Sequence, residues 1–332
     1  MKKKYNINLD LLKVIACIGV LLLHTTISGF RETESWNYLT YLYYLGTYAI
    51  PIFFMVNGYL LLAKNEISYS YILQKVKSIL IVASTWSLII WIYKRDFSLN
   101  PIKLIADSLI QKGYFFQFWF FGALILIYLC LPILKKFLNS KSRYLFVLSL
   151  LVAIGLIFEL MNYSLKMPVQ FYIIQTFRLW TWFFYYILGG FLAQFNADIL
   201  KNRFESWMKV ISMVLLLISP VILFFLAKTI HHNLFAEYFY DNIFVKVVSL
   251  GIFLTVFTFN LNEAKKKWII FLSNQTMGVF IIHTYVMKIW EKLVGFSFTG
   301  SHLLFPIFTF CVSFIVVAIL MKLPYFNRIV KL

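Results

Sequence analysis

The chain has 332 residues, of which 61% are hydrophobic and only 13% are charged, and its formal net charge is +18. A soluble domain carries about a quarter charged residues, so this composition excludes an ordinary water-soluble globular protein. The 31 Lys and Arg residues lie in short clusters between long apolar runs rather than in one basic patch, so we expect no nucleic acid among the partners. The lipid bilayer is the partner that this composition predicts.

Apolar runs of about 20 residues, the length that crosses a hydrocarbon core of about 30 Å, recur along the chain. The first run follows Met1-Lys2-Lys3-Lys4 without a small-residue cleavage site, so we expect a retained helix and not a signal peptide. We therefore predict an all-α fold, with a single transmembrane domain of about ten helices over residues 1–332 and no appended soluble domain. The predicted spans are residues 9–29, 38–63, 76–93, 116–134, 144–162, 172–194, 207–227, 242–260, 268–290 and 303–321.

The distribution of basic residues predicts the orientation of these spans. When the loops are placed on alternate sides, more Lys and Arg residues, among them Lys64, Lys75 and Lys77, fall on the N-terminal side than on the opposite side. Loops rich in Lys and Arg stay in the cytoplasm. We therefore expect both termini to be cytoplasmic and the protein to cross the cell membrane several times.

Five ionisable side chains lie where apolar spans are predicted. Such a side chain at the middle of a membrane helix costs roughly 2.5–3.5 kcal/mol on insertion scales, so each needs a reason. For Lys13 the plain alternative is a lysine that reaches the inner lipid headgroups, and for His24 it is a histidine satisfied by a backbone carbonyl. The five side chains are Lys13, His24, Glu159, Arg178 and His283.

Lys13 and His24 are related by their spacing in the first span. Eleven residues are about three helical turns, so the two side chains share a face within roughly 20° and lie about 16 Å apart along the axis. They cannot touch each other, but they can hold two ends of one extended ligand. Asp10 lies one turn before Lys13 and is expected to pair with it.

In the predicted topology the polar side chains of the spans fall into two groups. Five of them, from different spans, map to the outer half of the membrane: His24, Trp119, Glu159, Arg178 and His283. Asn57 maps to the inner side, with Lys13. We therefore expect the five side chains of the outer half to line a buried polar cavity.

Other signatures of chemistry are missing from the sequence. It contains no HExxH, P-loop or GxSxG motif, and Cys17, Cys130 and Cys311 lie inside apolar stretches without CxxC spacing. We therefore expect neither a metal site nor a disulfide framework.

Five motifs, in order along the chain, carry a resemblance to a known family. In the first, Lys13 is followed by ten residues and then His24, in a segment that opens Leu9-Asp10-Leu11-Leu12. Together the motifs resemble the acyltransferase 3 family of bacterial membrane acyltransferases over essentially the whole chain, although many members have arginine where this chain has Lys13. The other four are Pro51-Ile52-Phe53-Phe54-Met55-Val56-Asn57-Gly58-Tyr59, Phe118-Trp119-Phe120-Phe121 with Tyr128 and Pro132, Arg178 with Tyr185, Tyr186 and Gly189, and Ser273 through Phe280, Ile282 and His283.

The resemblance implies ten helices and the transfer of an acyl group, usually acetyl from acetyl-CoA, to a hydroxyl of an envelope carbohydrate or a related acceptor. Some relatives carry an appended extracytoplasmic hydrolase-like domain that completes the transfer. For this chain two possibilities stay open. Either the membrane domain acts alone on a lipid-linked saccharide, or a separate partner, such as a polysaccharide synthesis protein, completes the reaction.

The candidate roles follow from the resemblance and from the spacing of Lys13 and His24. We expect His24 to be the catalytic residue, either as a general base on the acceptor hydroxyl or as a transient acyl-histidine. Lys13, Asn57 and Arg178 are expected to bind the acyl-CoA donor. Asp10, Trp119, Glu159 and His283 are expected to support the site or bind substrate.

Two other functions are compatible with buried polar residues in a membrane domain. A transporter or flippase for a saccharide intermediate lines its pathway with such residues. A scaffold in a polysaccharide synthesis complex is the third possibility, and it predicts that His24 and Arg178 have no effect on product chemistry. Acyl-CoA-dependent labelling of a product separates the enzyme from both.

Overall fold

The computed structural model describes residues 6–27, 29, 35–196, 204–296 and 300–330, and within these ranges it contains helices and no strand. The all-α prediction is therefore confirmed for the described part of the chain. In chain order the helices are α1 (Ile7–Thr26), α2 (Tyr38–Leu45), α3 (Ala49–Leu62), α4 (Tyr69–Lys94), α5 (Pro101–Leu109), α6 (Trp119–Phe137), α7 (Lys141–Leu165), α8 (Leu179–Phe191), α9 (Ser206–Leu226), α10 (Ile243–Phe257), α11 (Glu263–Ser273), α12 (Thr276–Leu293) and α13 (Ser301–Leu320).

Seven helical segments in the described ranges are long and apolar enough to cross a membrane. The helices α11 and α12 are bent by 57° at a short break and make an eighth span if they are taken together. The seven are Ile7–Thr26, Tyr38–Leu62, Tyr69–Lys94, Phe116–Phe137, Lys141–Leu165, Ser206–His231 and Ser301–Leu320.

The structure differs from the predicted ten spans at residues 172–194 and 242–260. Helix α8 has 13 residues and continues into the π-helical turn Leu192–Asn196, and α10 has 15 residues. Neither is among the segments that are long and apolar enough to cross a membrane. The residues before α8 form the 3-10 turns Val169–Tyr172 and Gln175–Phe177, because their backbone wraps around the buried Arg178. The count of ten spans and the orientation of the termini remain predictions.

Local sequence signals set where the helices begin. The Asn6 side chain accepts a hydrogen bond from the first turn of α1 at 3.0 Å. The Ser68 hydroxyl accepts one from the Tyr71 N–H at 3.3 Å, which satisfies a backbone donor that the helix leaves free at its start. Helix α4 therefore begins at Tyr69 and not near residue 76, so Lys75 lies on a defined face of a helix rather than in a loop.

The centre of the bundle is the crossing of α3 and α8. A Cβ atom on Gly58 would lie 1.8 Å from the Tyr186 carbonyl oxygen, and one on Gly189 would lie 1.9 Å from the Met55 carbonyl oxygen. The two backbones are thus in contact, which only glycine permits at these positions. Helix α1 packs against α3 and also against α2, α10, α11, α12 and α13, so six other helices hold it in place.

We predict that Gly58→Ala lowers the free energy of unfolding by about 1–3 kcal/mol, because the new methyl group forces two backbones apart. Thermal unfolding of the detergent-purified protein measures the change. Ile157→Ala is the control, since its side chain is 57% exposed on α7 and loses few protein contacts. Equal unfolding temperatures for Gly58→Ala and the wild type would contradict the close crossing.

Candidate active site

The imidazole rings of His24 and His283 lie next to each other. His24 is in the last turn of α1, and His283 is in the middle of α12. Their ring centroids are 5.1 Å apart with an angle of 42° between the planes. Phe116 packs edge-on against His24 at 5.6 Å. The packing of α1 on α12 therefore unites two of the side chains that the sequence placed in the outer half.

The hydrogen bonds of His283 define its tautomer. Its side chain is fully buried, and Nδ1 lies 2.8 Å from the Phe280 carbonyl oxygen and 3.2 Å from that of Val279. Carbonyl oxygens only accept hydrogen bonds, so Nδ1 carries the proton and Nε2 keeps its lone pair. Nε2 has no hydrogen-bond partner among the residues that the structure describes. It is thus a buried acceptor beside His24.

A cavity of about 480 Å³ lies along α1, α3, α4, α6 and α12. One end is lined by Lys13, Lys64 and Lys75. The other end is aromatic, because the rings of Phe53 and Phe280 each contact the ring of Phe120, with centroids 5.9 Å and 5.7 Å apart. The cavity is therefore basic at one end and apolar at the other.

Phe280 lies between the cavity and the two histidines. Its ring lines the aromatic end, and the centroid of that ring is 6.1 Å from the centroid of the His283 ring. The backbone carbonyl of the same residue accepts the hydrogen bond from His283. The histidine pair is thus adjacent to the cavity, and the Phe280 ring separates the pair from the cavity.

Lys13 is held at the basic end by a buried carboxylate. Its Nζ lies 3.0 Å from Asp10 Oδ1, so the pair expected from the sequence is present. The Ser273 hydroxyl donates to the same oxygen at 2.7 Å. The Lys13 side chain keeps 30% of its surface exposed, whereas that of Asp10 keeps 7%. Asp10 therefore anchors the ammonium group at the cavity and ties α1 to the end of α11.

Asn57 lines the cavity between its two ends. Its amide nitrogen donates to the Phe53 carbonyl at 2.9 Å, and its amide oxygen accepts from the Tyr128 hydroxyl at 3.2 Å. These bonds fix the orientation of the amide. The structure therefore places Asn57 with Lys13 at one cavity, as the sequence indicated.

Arg178 lies in a different part of the domain. Its guanidinium donates to the backbone carbonyls of Ile173, Glu237 and Gln170 at 2.8–2.9 Å, and its side chain is 3% exposed. The Glu237 carboxylate lies 3.7 Å from Nη2. Arg178 does not line the cavity described above. It holds two loops together, and its role in donor binding stays a prediction.

Glu159 belongs to the same network as Arg178. Both of its carboxylate oxygens accept from the Asn242 amide, at 2.8 Å and 3.0 Å. The Gln170 carbonyl accepts from Arg178, while the Gln170 amide donates to Asp241 at 3.1 Å, next to Asn242 in the chain. The structure therefore separates Arg178 and Glu159 from the histidine pair with which the sequence grouped them.

Trp119 packs on Trp182, next to the turn that precedes Arg178. Its ring is 5.1 Å from the ring of Trp182, which is stacked on Phe54 at 4.9 Å. The indole N–H of Trp182 donates at 2.6 Å to the carbonyl of Gln175, in the turn before Arg178. Trp119 is 7% exposed and does not line the cavity, so the geometry gives it a packing role.

Several polar residues at these sites escaped the sequence analysis. Lys246 is 3% exposed and donates to the Asp241 carbonyl. It satisfied the criterion used for Lys13, an ionisable side chain in an apolar run, so the sequence contained its signal. Lys64 and Lys75 did not stand out, because lysines that flank predicted spans are common.

The described helices include seven that can cross a membrane, and they enclose buried ionisable side chains, which defines an integral membrane protein. A family profile described as an acyltransferase domain matches residues 6–322, essentially the whole chain. The chain belongs to this family, the acyltransferase 3 family, as its motifs predicted, and the protein is a membrane acyltransferase. Comparisons with curated proteins and with solved structures found no match.

We predict that Arg178→Lys destabilises the protein without changing the Michaelis constant for the acyl donor. A lysine ammonium cannot reach three carbonyls with the planar geometry of a guanidinium, and each lost charge-assisted hydrogen bond costs about 1.5–3 kcal/mol. Thermal unfolding and donor kinetics measure the two effects. A raised Michaelis constant at unchanged stability would instead support the donor-binding role predicted from the sequence.

Proposed function

We propose that the protein is an O-acyltransferase of the cell membrane, which moves acetyl from acetyl-CoA to a hydroxyl of an envelope or exported polysaccharide, or of its lipid-linked precursor. The observation that carries this proposal is the position of the histidine pair beside the aromatic end of a cavity whose other end is basic. An acyl-CoA has the same polarity, with phosphates at one end and the thioester at the other.

The polarity of the cavity favours one direction for the bound donor. The phosphates lie at the end with Lys13, where the ammonium group is held by Asp10. The pantetheine arm follows the cavity past Asn57, and the thioester reaches the aromatic end, next to His24 and His283. Phe280 is the side chain that has to move to bring the thioester to the histidines.

His24 is the proposed catalytic base. The half-buried His24 is more accessible to an acceptor hydroxyl than the fully buried His283, whose Nδ1 proton is held by backbone carbonyls. His24 takes the hydroxyl proton, the hydroxyl oxygen forms a bond to the thioester carbonyl carbon, and the carbon–sulfur bond breaks. The proton then passes from His24 to the departing CoA thiolate, so the products are an ester and free CoA.

His283 is the proposed positioning residue for His24. Its Nε2 lone pair can accept a hydrogen bond from one ring nitrogen of His24, which leaves the other ring nitrogen unprotonated and free to act as the base. The same bond stabilises the imidazolium that forms when His24 takes the proton. The hydrogen bonds from His283 Nδ1 to the carbonyls of Phe280 and Val279 keep the Nε2 lone pair available as an acceptor.

The acceptor is the least defined part of the proposal. A lipid-linked saccharide reaches a membrane-embedded site by diffusion in the bilayer, without a further protein. A growing polysaccharide has to be delivered, and the polysaccharide synthesis proteins are the proposed partners in that case. Mass spectrometry of surface polysaccharide from cells with and without the protein identifies the acetylated sugar and its hydroxyl.

A saccharide transporter is the second candidate function, and one observation favours it. Transporters build substrate sites from broken helices, and the break between α11 and α12 brings Ser273 and Thr276 to the cavity wall. Movement of saccharide across proteoliposomes without acylation would support transport. Label transferred from acetyl-CoA to saccharide supports the enzyme.

We predict that His24→Ala lowers kcat by about 10²–10⁴-fold, the usual contribution of a general base. The assay follows transfer of labelled acetyl from acetyl-CoA to membrane saccharide by purified protein in lipid nanodiscs. His232→Asn is the control, because His232 is an exposed histidine in an αL conformation that asparagine also adopts. Wild-type turnover by correctly folded His24→Ala protein would contradict the proposal. Label retained on His24 in the absence of acceptor would show the acyl-histidine route instead.

We predict that His283→Ala lowers kcat by about 10–100-fold, as loss of a residue that orients another does, with little change in the Michaelis constant for acetyl-CoA. His283→Gln retains more activity, because its amide oxygen can replace Nε2 as an acceptor. Steady-state kinetics of both variants measure this difference. Equal loss in the two variants, together with a lowered unfolding temperature, would mean that His283 only fills space.

A further inference from the structure

Three lysines from three separate segments line the basic end of the cavity. Lys13 comes from α1, Lys64 from the segment after α3, and Lys75 from α4. None of the described residues that line the cavity is Asp or Glu. The carboxylate of Asp10 is bound to Lys13 and Ser273, which leaves the charges of Lys64 and Lys75 without a carboxylate at the cavity wall.

The face that Lys75 occupies on α4 explains why it reaches the cavity. Tyr71, Ser78 and Ile79 line the cavity with it, and they lie three or four residues away on the same side of the helix. Lys77 is two residues further along and lies on another face, beside Leu73, Leu80 and Ile81. Lys75 is half-buried, whereas Lys77 is exposed. The two lysines of one helix therefore have different surroundings.

Lys64 is also directed to this end of the cavity. Its Nζ lies 3.8 Å from the centre of the Tyr71 ring, a cation–π contact that holds the ammonium group over a residue of the cavity wall. A lysine that only reached for lipid headgroups would have no reason to sit on this ring. Lys64 and Lys75 thus both lie near Tyr71, on the wall of the cavity that Lys13 also lines.

We propose that Lys64 and Lys75, together with Lys13, bind the phosphate groups of the acyl donor and so select a phosphorylated thioester. This inference rests on the proposed function, because it assigns the donor to this cavity. A lipid diphosphate that carries the saccharide acceptor offers the same chemistry. The structure favours the donor, because the apolar end of the same cavity leads to the histidine pair, where the thioester has to arrive.

The test compares three donors that carry different numbers of phosphates. Acetyl-CoA, acetyl-3′-dephospho-CoA and S-acetylpantetheine share the thioester and the pantetheine arm, and the last lacks both the phosphates and the adenosine. We expect Lys64→Ala and Lys75→Ala each to raise the Michaelis constant for acetyl-CoA about tenfold, the loss of one charge-assisted contact. The constant for S-acetylpantetheine stays unchanged, and so does kcat with saturating acetyl-CoA.

Two further variants make the comparison specific. Lys77→Ala removes an equal charge from the same helix and is expected to leave all donor constants unchanged. Lys75→Arg keeps the charge and is expected to restore most of the affinity for acetyl-CoA. If Lys75→Ala raised the constants for acetyl-CoA and S-acetylpantetheine equally, Lys75 would act by packing and the inference would be wrong. If it raised only the constant for the lipid-linked acceptor, the lysines would serve the acceptor, which also overturns it.

Binding of CoA itself separates this inference from the transfer reaction. Calorimetry on the protein in nanodiscs measures the dissociation constant without an acceptor or a chemical step. We expect about tenfold weaker binding in Lys64→Ala and Lys75→Ala and wild-type binding in Lys77→Ala. CoA binding that follows this pattern in a protein without transferase activity would support the lysine site and contradict the proposed function. Equal CoA affinity in all four proteins would overturn the lysine site even if transfer occurs.

Discussion

The backbones of α3 and α8 touch at Gly58 and Gly189. The placement of the cavity and of the hydrogen-bond network around Arg178 depends on that contact. Helix α3 carries Asn57 on the wall of the cavity, and α8 begins directly after Arg178 in the loop network. A side chain larger than hydrogen at either glycine would separate the two helices. The crossing therefore constrains the position of the cavity wall relative to the Arg178 network.

Two kinds of buried ionisable group occur in the described part of this membrane domain. Arg178 donates to three backbone carbonyls, and the Glu159 carboxylate accepts from Asn242, so both side chains have hydrogen-bond partners within the protein. His283 also donates a hydrogen bond from Nδ1 to backbone carbonyls. Its Nε2 has no hydrogen-bond partner among the described residues. An uncompensated polar atom in the interior costs free energy. That cost is consistent with a chemical role for the histidine and a structural role for the arginine.

The first helix shows how far sequence reasoning extends. The spacing of Lys13 and His24 fixed their shared face, and the pairing of Asp10 with Lys13 follows from one helical turn, so both are local properties that a sequence contains. Alternation of the spans also placed His283 on the side of His24. The partners of Arg178 are the backbone carbonyls of Gln170 and Ile173, in the turns just before it, and of Glu237, 59 residues away. No residue pattern indicates such backbone partners.

The start of α8 at Leu179, and not near residue 172, was not predictable for a related reason. The run at residues 172–194 is apolar and aromatic, and hydropathy does not distinguish a side chain that faces lipid from one that packs on protein. Trp182 and Tyr185 are both fully buried against other helices and loops. Lys64 and Lys75 were missed for the opposite reason, because a charge at the end of a span is expected there whether or not it binds a ligand.

Phe280 contributes to the site with two chemically independent parts. Its ring forms part of the cavity wall, whereas the carbonyl that accepts the hydrogen bond from His283 Nδ1 belongs to the backbone. Every residue type at this position supplies the same carbonyl. The size and shape of the wall can therefore change in the course of evolution, for a shorter or a longer acyl chain, while the tautomer of the neighbouring imidazole is inherited unchanged.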